Sequence, residues 1–300
     1  MTTPAEPPTV RTTCAIVGGG PAGLVLGLLL ARAGVAVTVL EKHADFLRDF
    51  RGDTVHPTTL ALLDDLGLVD RFEAIPHSRV THVDLPDPEV TGVTWEKGRV
   101  AIGIPRDGYI QVAQLGPKGA DDAVRARGLD AFRADAAQLF PEAAAGVTGI
   151  GSTADVKHLD VRLDRLRRWH APGVLCIGDA AHAMSPVGGV GINLAVQDAV
   201  AAARILAPLL RSGGASGRAE ARGLARIQRR RMVPTVVIQG MQRILHAALI
   251  MPAIRGRDLR LPSWVVKVVR RVPWLSALPA LAVGVGPRPE RAPRWARRPS

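Results

Sequence analysis

The 300-residue chain has few cysteines, few aromatic residues and no long apolar run without proline near its C-terminus. Its two cysteines, Cys14 and Cys176, are far apart and each lies in an apolar stretch. This placement favours two buried thiols over a disulfide and indicates a reducing compartment. Hydrophobic residues make up 47% of the chain, which is enough for a substantial core and excludes general disorder.

The chain also lacks the usual signals for secretion and membrane insertion. Its first ten residues contain no basic segment followed by an apolar one, so we interpret them as a frayed leader. The apolar run Ala277–Gly286 contains Pro279 and is shorter than the roughly 20 residues that a membrane-spanning helix needs. We therefore predict a cytoplasmic protein.

The net charge of +12 is concentrated in the C-terminal third. From Arg211 to Ser300 there are 19 basic and three acidic residues. Such asymmetry is found in proteins that bind nucleic acids or anionic membranes, but a genome rich in Arg, Ala and Gly codons produces it equally well. Because no DNA- or RNA-binding motif accompanies the charge, we predict no nucleic-acid partner and leave a weak membrane-surface contact open.

The first organised segment, residues 14–41, has the pattern of one βαβ unit. An apolar β-type run leads to a glycine turn, a helix rich in Leu and Ala, and a second β-type run ending in an acid. Gly18 permits a tight turn, Gly20 lets the backbone approach a pyrophosphate, and Gly23 lets the helix pack closely on the strand.

This unit predicts a dinucleotide site. The first-turn N–H groups of the helix attract phosphates, and an acid at the end of the second strand can accept both ribose hydroxyls of an adenosine. An acid there disfavours a 2′-phosphate, which leaves FAD or NAD as the ligand. The predicted contacts are Gly18, Gly20, Pro21, Ala22, Gly23, Glu41 and Lys42.

A second motif decides between the two ligands. Residues 174–198 read as an apolar strand, the pair Gly178–Asp179, a Pro/Gly loop and a long helix running to about Ala207. This stretch resembles the Gly-Asp motif and glycine-rich loop of the class A FAD-dependent monooxygenases, the aromatic and polyketide hydroxylases. The resemblance covers roughly residues 12–85 and 99–285, and it implies that FAD is the cofactor.

The resemblance also implies how the second motif contacts FAD. Asp179 is expected to bond a hydroxyl of the ribityl chain, and the loop from Pro186 to Asn193 is expected to lie against the isoalloxazine ring. A helix N-terminus there can stabilise the negative charge that a reduced flavin carries near N1. The expected contacts in this loop are Pro186, Gly189, Gly191, Ile192 and Asn193.

Between the two motifs, the family has an Arg ahead of a short helix. Arg51 is the candidate for the FAD pyrophosphate, because a cation stabilises two phosphates, and the nearby Arg48 is the alternative. Pro57 suits a first helical position and Gly67 a C-terminal cap. His56 is interpreted as an N-terminal helix residue and not as a catalyst.

The middle of the chain is shorter than the family pattern. Residues 99–115 read as two strands of a substrate sheet joined by Asp107–Gly108, with Tyr109 as a sheet residue. Residues 118–140 then read as helical with a break at Gly128, and residues 156–163 as a strand leading towards the Gly-Asp motif. We find no counterpart of the family's Asp-Gly motif that serves both FAD and the nicotinamide nucleotide, and we place the gap between about Pro86 and Arg99. FAD binding is consequently a firmer expectation than turnover.

These observations predict an α/β protein with a doubly wound, Rossmann-like FAD-binding domain, a reduced substrate sheet and a helical C-terminal segment. The predicted boundaries are 10–78 and 119–210 for the two parts of the FAD domain and 79–118 for the substrate sheet. The C-terminal helical segment is predicted at 211–286, followed by a disordered basic tail at 287–300.

By resemblance, the reaction is hydroxylation or epoxidation of an aromatic or polyketide-like small molecule, with O2 as oxygen source and NADPH or NADH as transient reductant. The cofactor performs the difficult step and the protein positions it and excludes water. His182 is a weak candidate for a catalytic residue, and no metal is expected. The alternatives are an FAD-binding but catalytically impaired protein, an NAD-linked dehydrogenase, and a membrane-surface flavoenzyme acting on lipid or quinone.

Overall fold

The computed structural model describes residues 9–44, 54–77, 93–96, 99–106, 109–212, 217–256 and 283–298, together with residues 271 and 281. The chain forms two compact units. The first contains residues 1–69, 162–239 and 280–300, and the second contains residues 70–161 and 240–279. The predicted border at 118/119 is therefore displaced, because residues 119–161 belong to the unit that holds the sheet.

The first unit begins with the predicted βαβ element. Strands β1 (Cys14–Val17) and β2 (Val37–Leu40) pair in parallel, with Cys14 opposite Val37 and Val17 opposite Leu40. Helix α1 (Pro21–Arg32) provides the crossover that parallel strands require. This parallel βαβ element bears out the α/β prediction. Among the described residues, β1 and β2 are the only parallel pair.

Two further helices complete this core. The 22-residue α6 (Val190–Arg211) packs on α1, and α2 (Pro57–Asp65) packs on α6. Helix α6 is buried along most of its length, and alanines such as Ala199, Ala202 and Ala203 have no exposed surface. These small side chains let α6 approach α1, whose Leu29 and Leu30 are fully buried.

The first unit is completed by short elements and a long helix. Strands β6 (His170–Ala171) and β7 (Val174–Leu175) form an antiparallel pair, so the apolar run before Gly178 is a two-residue strand. Helix α7 (Gly217–Leu245) begins in this unit, and residues 294–296 form a 3-10 turn.

The predicted disordered tail is wrong for residues 287–298. Glu290, Ala292 and Ala296 are 1–2% exposed and pack in the first unit. The basic composition of this segment favoured disorder, but its one acid, Glu290, pairs with Arg204 of α6 and with Arg230 and Arg231 of the long helix that begins at Gly217. The backbone N–H of Arg298 also donates to the carbonyl oxygen of Asp65 at 2.9 Å.

The second unit contains the predicted hairpin. Strands β3 (Val93–Glu96), β4 (Arg99–Arg106) and β5 (Tyr109–Leu115) form an antiparallel sheet in that order, which confirms that Tyr109 is a sheet residue. The turn residues 107–108 and most of the predicted gap lie outside the described residues. A Cβ on Gly103 would be 2.7 Å from Cε1 of Phe140, so glycine lets this ring pack on the sheet.

The rest of the second unit is mainly helical. Its elements are α3 (Val69–Glu73, whose first residue belongs to the first unit), α4 (Asp121–Ala126), α5 (Leu129–Leu139), a 3-10 helix (Pro141–Gly149), a π-helical turn (His246–Ile250) and α8 (Met251–Ile254). Gly128 separates α4 from α5 at a φ of +82°, as predicted. Residues 156–163, expected to be a strand, have no regular structure.

Candidate functional site

The glycine turn between β1 and α1 has the geometry that its sequence predicts. Gly18 has a φ of +109°, a conformation that L side chains rarely adopt, and its N–H donates to the carbonyl oxygen of Leu40 at 2.7 Å. A Cβ on Gly23 would come within 2.0 Å of the Gly18 carbonyl oxygen and 3.2 Å of Cγ2 of Ile16. Glycine at position 23 is therefore required for the turn, the helix and the strand to meet.

Glu41 lies beside this turn. Its Oε2 accepts the N–H of Gly19 at 2.8 Å, and its Oε1 accepts the N–H of His43 at 3.1 Å. These bonds orient the carboxylate at the end of β2, where the sequence predicts a contact with ribose. Lys42, the next residue, is exposed.

Helices α1 and α6 of the first unit begin without a side-chain cap, a feature that α2 shares. Helix α1 has Gly20 at its N-cap and Pro21 at its first position, and α6 has Gly189 at its N-cap. Neither helix has an acidic residue in its first turn. The first-turn N–H groups of a helix have no partner within the helix and carry a partial positive charge, so both ends suit an electron-rich ligand.

The Gly-Asp motif packs against the start of α1. Gly178 is buried at a φ of +58°, and a Cβ there would be 3.2 Å from the Cβ atoms of both Ala22 and Ala195. Asp179 follows in an exposed 3-10 turn. The fold thus brings together the two motifs that sequence analysis identified separately.

The Pro/Gly loop is held by the segment that precedes α2. Gly189 adopts a φ of +60°, and a Cβ on it would lie 2.7 Å from the Cβ of Thr54. Pro186 accepts the Gly189 N–H at 3.0 Å through its carbonyl oxygen. Gly191 and Ile192 form the first turn of α6, and the nearest atom to a Cβ on Gly191 would be 3.7 Å away.

Asn193 joins this loop to α2 and uses both ends of its amide to do so. Its Oδ1 accepts the N–H of His56 at 2.9 Å and the hydroxyl of Thr59 at 2.7 Å. Its Nδ2 donates to the carbonyl oxygens of Thr54 at 3.0 Å and Gly189 at 3.1 Å. The side chain fixes the loop, so any contact of Asn193 with a flavin ring falls to its backbone.

The predicted residues around α2 are placed as follows. His56 is the N-cap of α2 and Pro57 its first residue, which confirms the helix interpretation. Nδ1 of the buried His56 lies 2.6 Å from the carbonyl oxygen of Val283. Arg51 and Arg48 lie outside the described residues.

Sequence analysis missed a buried ionic network behind the motifs. The Asp198 side chain is fully buried and lies 2.8 Å from Nε of Arg231 through Oδ1. Glu290, also fully buried, bonds Nε of Arg230 at 2.5 Å and Nη2 at 2.9 Å. The hydrogen bond to Glu290 raises the pKa of the Arg230 guanidinium. Asp198, an acid within the apolar helix α6, was a possible signal of this network. Its side-chain partners, Arg231 and His182, are not near it in sequence.

His182, the weak catalytic candidate, belongs to this network. Its Nε2 lies 2.6 Å from Oδ2 of Asp198, and its ring packs on Trp169 with centroids 5.1 Å apart. The side chain is 1% exposed, which places it behind the Gly-Asp turn and away from solvent.

The described residues contain no group of three or more His, Cys, Asp or Glu side chains suited to a metal. Two helical stretches, 190–211 and 217–254, are long and apolar enough to cross a membrane. The first of these is the core helix α6, since 78% of its most apolar window is buried. In the second stretch, 28% of the most apolar window is buried.

Comparison with known proteins identifies the class. The sequence profile of the FAD binding domain family matches residues 11–91 and 81–235, which is most of the chain. The chain belongs to this family, and it is a class A FAD-dependent monooxygenase. The family assignment confirms FAD as the cofactor.

Two curated relatives illustrate the class. The 6-methylpretetramide 4-monooxygenase of Streptomyces rimosus is 27% identical over 331 positions, covering 70% of this chain and 79% of the relative. The p-hydroxybenzoate hydroxylase of Acinetobacter baylyi is 34% identical over 76 residues, which cover 24% of this chain and 19% of that enzyme.

Solved structures show the same fold. PqsL of P. aeruginosa, in complex with 2-aminobenzoylacetate, has a TM-score of 0.59 at 18% identity over 82% of this chain and 98% of that one. The flavin-dependent brominase Bmp2 has a TM-score of 0.55 at 14% identity, covering 94% of this chain and 95% of that one.

The comparisons also bear on the short middle. The two stretches matched by the family overlap at residues 81–91, where the chain passes from the first part of the family pattern to the second. The alignment with the Streptomyces relative is 331 positions long, although it includes only 70% of this 300-residue chain. The relative therefore has residues for which this chain has no equivalent.

Proposed function

We propose that this protein uses NADPH or NADH and O2 to hydroxylate or epoxidise an aromatic or polyketide-like small molecule. The observation that carries the proposal is the contact of Gly178 with Ala22, because it joins the Gly-Asp turn to the start of the phosphate-binding helix. The names of the Streptomyces and Acinetobacter relatives, a pretetramide monooxygenase and a hydroxybenzoate hydroxylase, support the aromatic or polyketide class of substrate.

The described residues fit FAD. The positive φ of Gly18 and the uncapped start of α1 suit a pyrophosphate, and Glu41 is oriented for the adenosine ribose. Asp179 is exposed on a 3-10 turn, and we assign it to the ribityl chain.

At the other end of the site, the uncapped start of α6 is assigned to the N1 and C2=O edge of the ring. Bound FAD supplies the redox chemistry that activates O2. The chain's own contribution is electrostatic and geometric. Backbone donors at Gly191 and Ile192 stabilise negative charge without having to reorganise, because Gly189 and Asn193 fix the loop.

The test begins with the visible spectrum of the purified protein supplied with FAD, followed by anaerobic titration with NADPH and with NADH. A yellow protein whose flavin is bleached by one of these donors supports the proposal. Asp179→Ala should weaken FAD binding, whereas Asp155→Ala, in the second unit, should not. A protein that stays colourless with excess FAD would overturn it.

The same experiment separates the proposal from the impaired-flavoprotein alternative. The short middle leaves no counterpart of the family's Asp-Gly motif, which serves the nicotinamide nucleotide. Bound FAD that neither NADPH nor NADH reduces, with no substrate-stimulated oxidation of either, would favour a protein that binds FAD without turnover.

The exposed face of helix α7 favours a second candidate role, at a membrane surface. The outer face of α7, defined by Arg222, Arg226, Arg229, Val233, Val236 and Val237, is exposed. The opposite face is buried and mixed in character, with Thr235 and Gln239 at 0% exposure beside the apolar Ile227 and Ile238. Exposed valines beside arginines on the outer face suit an anionic interface.

Sedimentation with vesicles tests this second role. The protein should pellet with phosphatidylserine vesicles, remain in solution with phosphatidylcholine vesicles, and be released by high salt. Replacing Val233 and Val237 by Ser should reduce pelleting, whereas Val112→Ser, on an exposed position of the sheet, should not. Equal pelleting by both variants would rule out the outer face of α7.

A further inference from the structure

The network behind the Gly-Asp turn is built around one carboxylate. Asp198 is fully buried on α6, and its two oxygens receive three N–H groups. Oδ1 accepts Nε of Arg231 at 2.8 Å. Oδ2 accepts the backbone N–H of Gly178 at 3.1 Å and lies 2.6 Å from Nε2 of His182. Such a set of donors holds a buried carboxylate in one orientation.

Two of these donors are the two ends of one short turn. Gly178 and His182 are both buried, and the backbone N–H of His182 donates to the Gly178 carbonyl oxygen at 2.9 Å. Between them, Asp179 and Ala180 are exposed. Asp198 therefore holds both ends of the turn that contains Asp179.

Arg231 makes the buried charge tolerable. An ionised carboxylate without a partner is very unfavourable in a protein core, whereas a hydrogen-bonded ion pair is tolerated. Arg231 is 1% exposed, and its Nη1 donates to the carbonyl oxygen of Arg288 at 3.1 Å. With its charge balanced, Asp198 acts as an acceptor for the turn.

The surroundings of His182 determine how its ring is used. Within the part of the chain that the structure describes, its Nδ1 is buried without a hydrogen-bond partner. The tautomer with its proton on Nε2 leaves no N–H unsatisfied, because that proton is donated to Asp198. His182 is then a fixed donor that links the turn to α6.

We infer that Asp198 and His182 are positioning residues that hold Asp179 in place for FAD. This inference rests on the proposed function, since it assigns Asp179 to the ribityl chain. Neither residue is placed in contact with the cofactor. Their effect on FAD is transmitted through the backbone of residues 178–182, a role distinct from a general contribution to stability.

A double-mutant cycle tests the inference. His182→Leu removes the donor to Asp198, whereas His182→Gln can present an amide nitrogen near the position of Nε2. Each is made alone and in an Asp179→Ala background. FAD dissociation constants come from quenching of flavin fluorescence, and thermal unfolding of the apoprotein is recorded separately. Leu224→Ala, which removes a buried side chain of the same core, is the control for stability.

We expect His182→Leu to weaken FAD binding about tenfold, which corresponds to about 1.4 kcal/mol. The loss should be small for His182→Gln and should nearly disappear in the Asp179→Ala background, because the two residues then act as a unit. Leu224→Ala should lower the apoprotein Tm while leaving FAD affinity within about twofold.

Two outcomes would overturn the inference. One is a His182→Leu effect that is unchanged when Asp179 is absent, and the other is a Leu224→Ala effect on FAD affinity as large as that of His182→Leu. Failure of the wild-type chain to bind FAD would instead overturn the proposed function, and the inference with it.

Discussion

Gly178 of the Gly-Asp turn lies against Ala22 of helix α1, so that a Cβ on the glycine would be 3.2 Å from the Cβ of the alanine. These residues are more than 150 positions apart in the chain and belong to separate motifs. Two methyl groups 3.2 Å apart would be in a tighter contact than side chains normally make, and the φ of +58° further favours glycine. The close packing of the two motifs therefore requires glycine, which has no side chain, at position 178.

The Pro/Gly loop provides a matched pair of substitutions. Gly189→Ala places a Cβ 2.7 Å from the Cβ of Thr54 at a φ of +60°, whereas Gly191→Ala makes only an ordinary contact at 3.7 Å. We expect Gly189→Ala to lower the free energy of unfolding by about 1–3 kcal/mol, as strain and overpacking do. Gly191→Ala should change it by less than about 0.5 kcal/mol. Urea denaturation of the apoproteins measures both, and equal losses would contradict the assigned geometry.

Glu41 should contribute to the binding of only one part of the cofactor, its adenosine half. Glu41→Gln retains the size of the side chain but removes a charged acceptor of hydroxyl and N–H groups. We expect FAD affinity to fall about tenfold, the loss that one charge-assisted hydrogen bond accounts for, while FMN affinity stays unchanged. Fluorescence titration with both flavins checks this. A parallel loss for FMN would mean that Glu41 only supports the glycine turn through Gly19.

Glu290 should contribute strongly to the stability of the first unit. Its fully buried carboxylate bonds Arg230 through two oxygens and lies 3.6 Å from Nη2 of Arg204. Glu290→Gln leaves these cations facing a neutral group. We expect a loss of about 2–4 kcal/mol, somewhat less than the roughly 3–5 kcal/mol typical of broken buried pairs, because Arg204 and Arg230 keep contact with water.

Glu220→Gln is the control for this substitution. Glu220 accepts only the Gly173 N–H, at 3.0 Å and near the surface, among the bonds described for it. Its loss should be below about 1 kcal/mol. Chemical denaturation of the two variants should therefore give clearly different midpoints, and similar midpoints would show that the buried tail contributes little.

The second unit should lose stability in mild acid through His246. Burial lowers the pKa of this histidine from its ordinary value of 6.5. The unfolded chain thus binds a proton at a higher pH than the folded chain does, and the free energy of unfolding falls as the pH drops below 6.5 towards the folded pKa. His246→Gln should flatten this part of the pH profile, and an unchanged slope between pH 7 and about 5 would contradict it.

Much of the site was predictable because its chemistry is carried by local patterns. The turn at Gly18, the first helical position of Pro57 and the glycine break at residue 128 all follow from neighbouring residues in the sequence. Backbone conformation at glycine and proline depends on a few adjacent atoms, so short motifs specify it.

The errors arose where distant residues supply the partners. The tail at 287–298 was predicted to be disordered because its composition is basic, yet Gln197 accepts the backbone N–H of Glu290 and Arg230 bonds its carboxylate. Residues 156–163 are predicted as a strand, but they have no regular structure, and none of the described strands pairs with them. A strand needs such a partner, and its absence is not visible in a local pattern.

The order of residues was sufficient to indicate a dinucleotide, since glycine spacing and a terminal acid act through bonds made within one βαβ unit, and the resemblance of the second motif then indicated FAD. Only the folded chain decided which side chains surround the Gly-Asp turn. Asp198 and His182 are 16 positions apart, Arg231 is 33 positions beyond Asp198, and the three are brought together in the core. The physical reason is that a buried charge must be paired. Its partner can come from any helix that packs against it, however far apart the two are in the sequence.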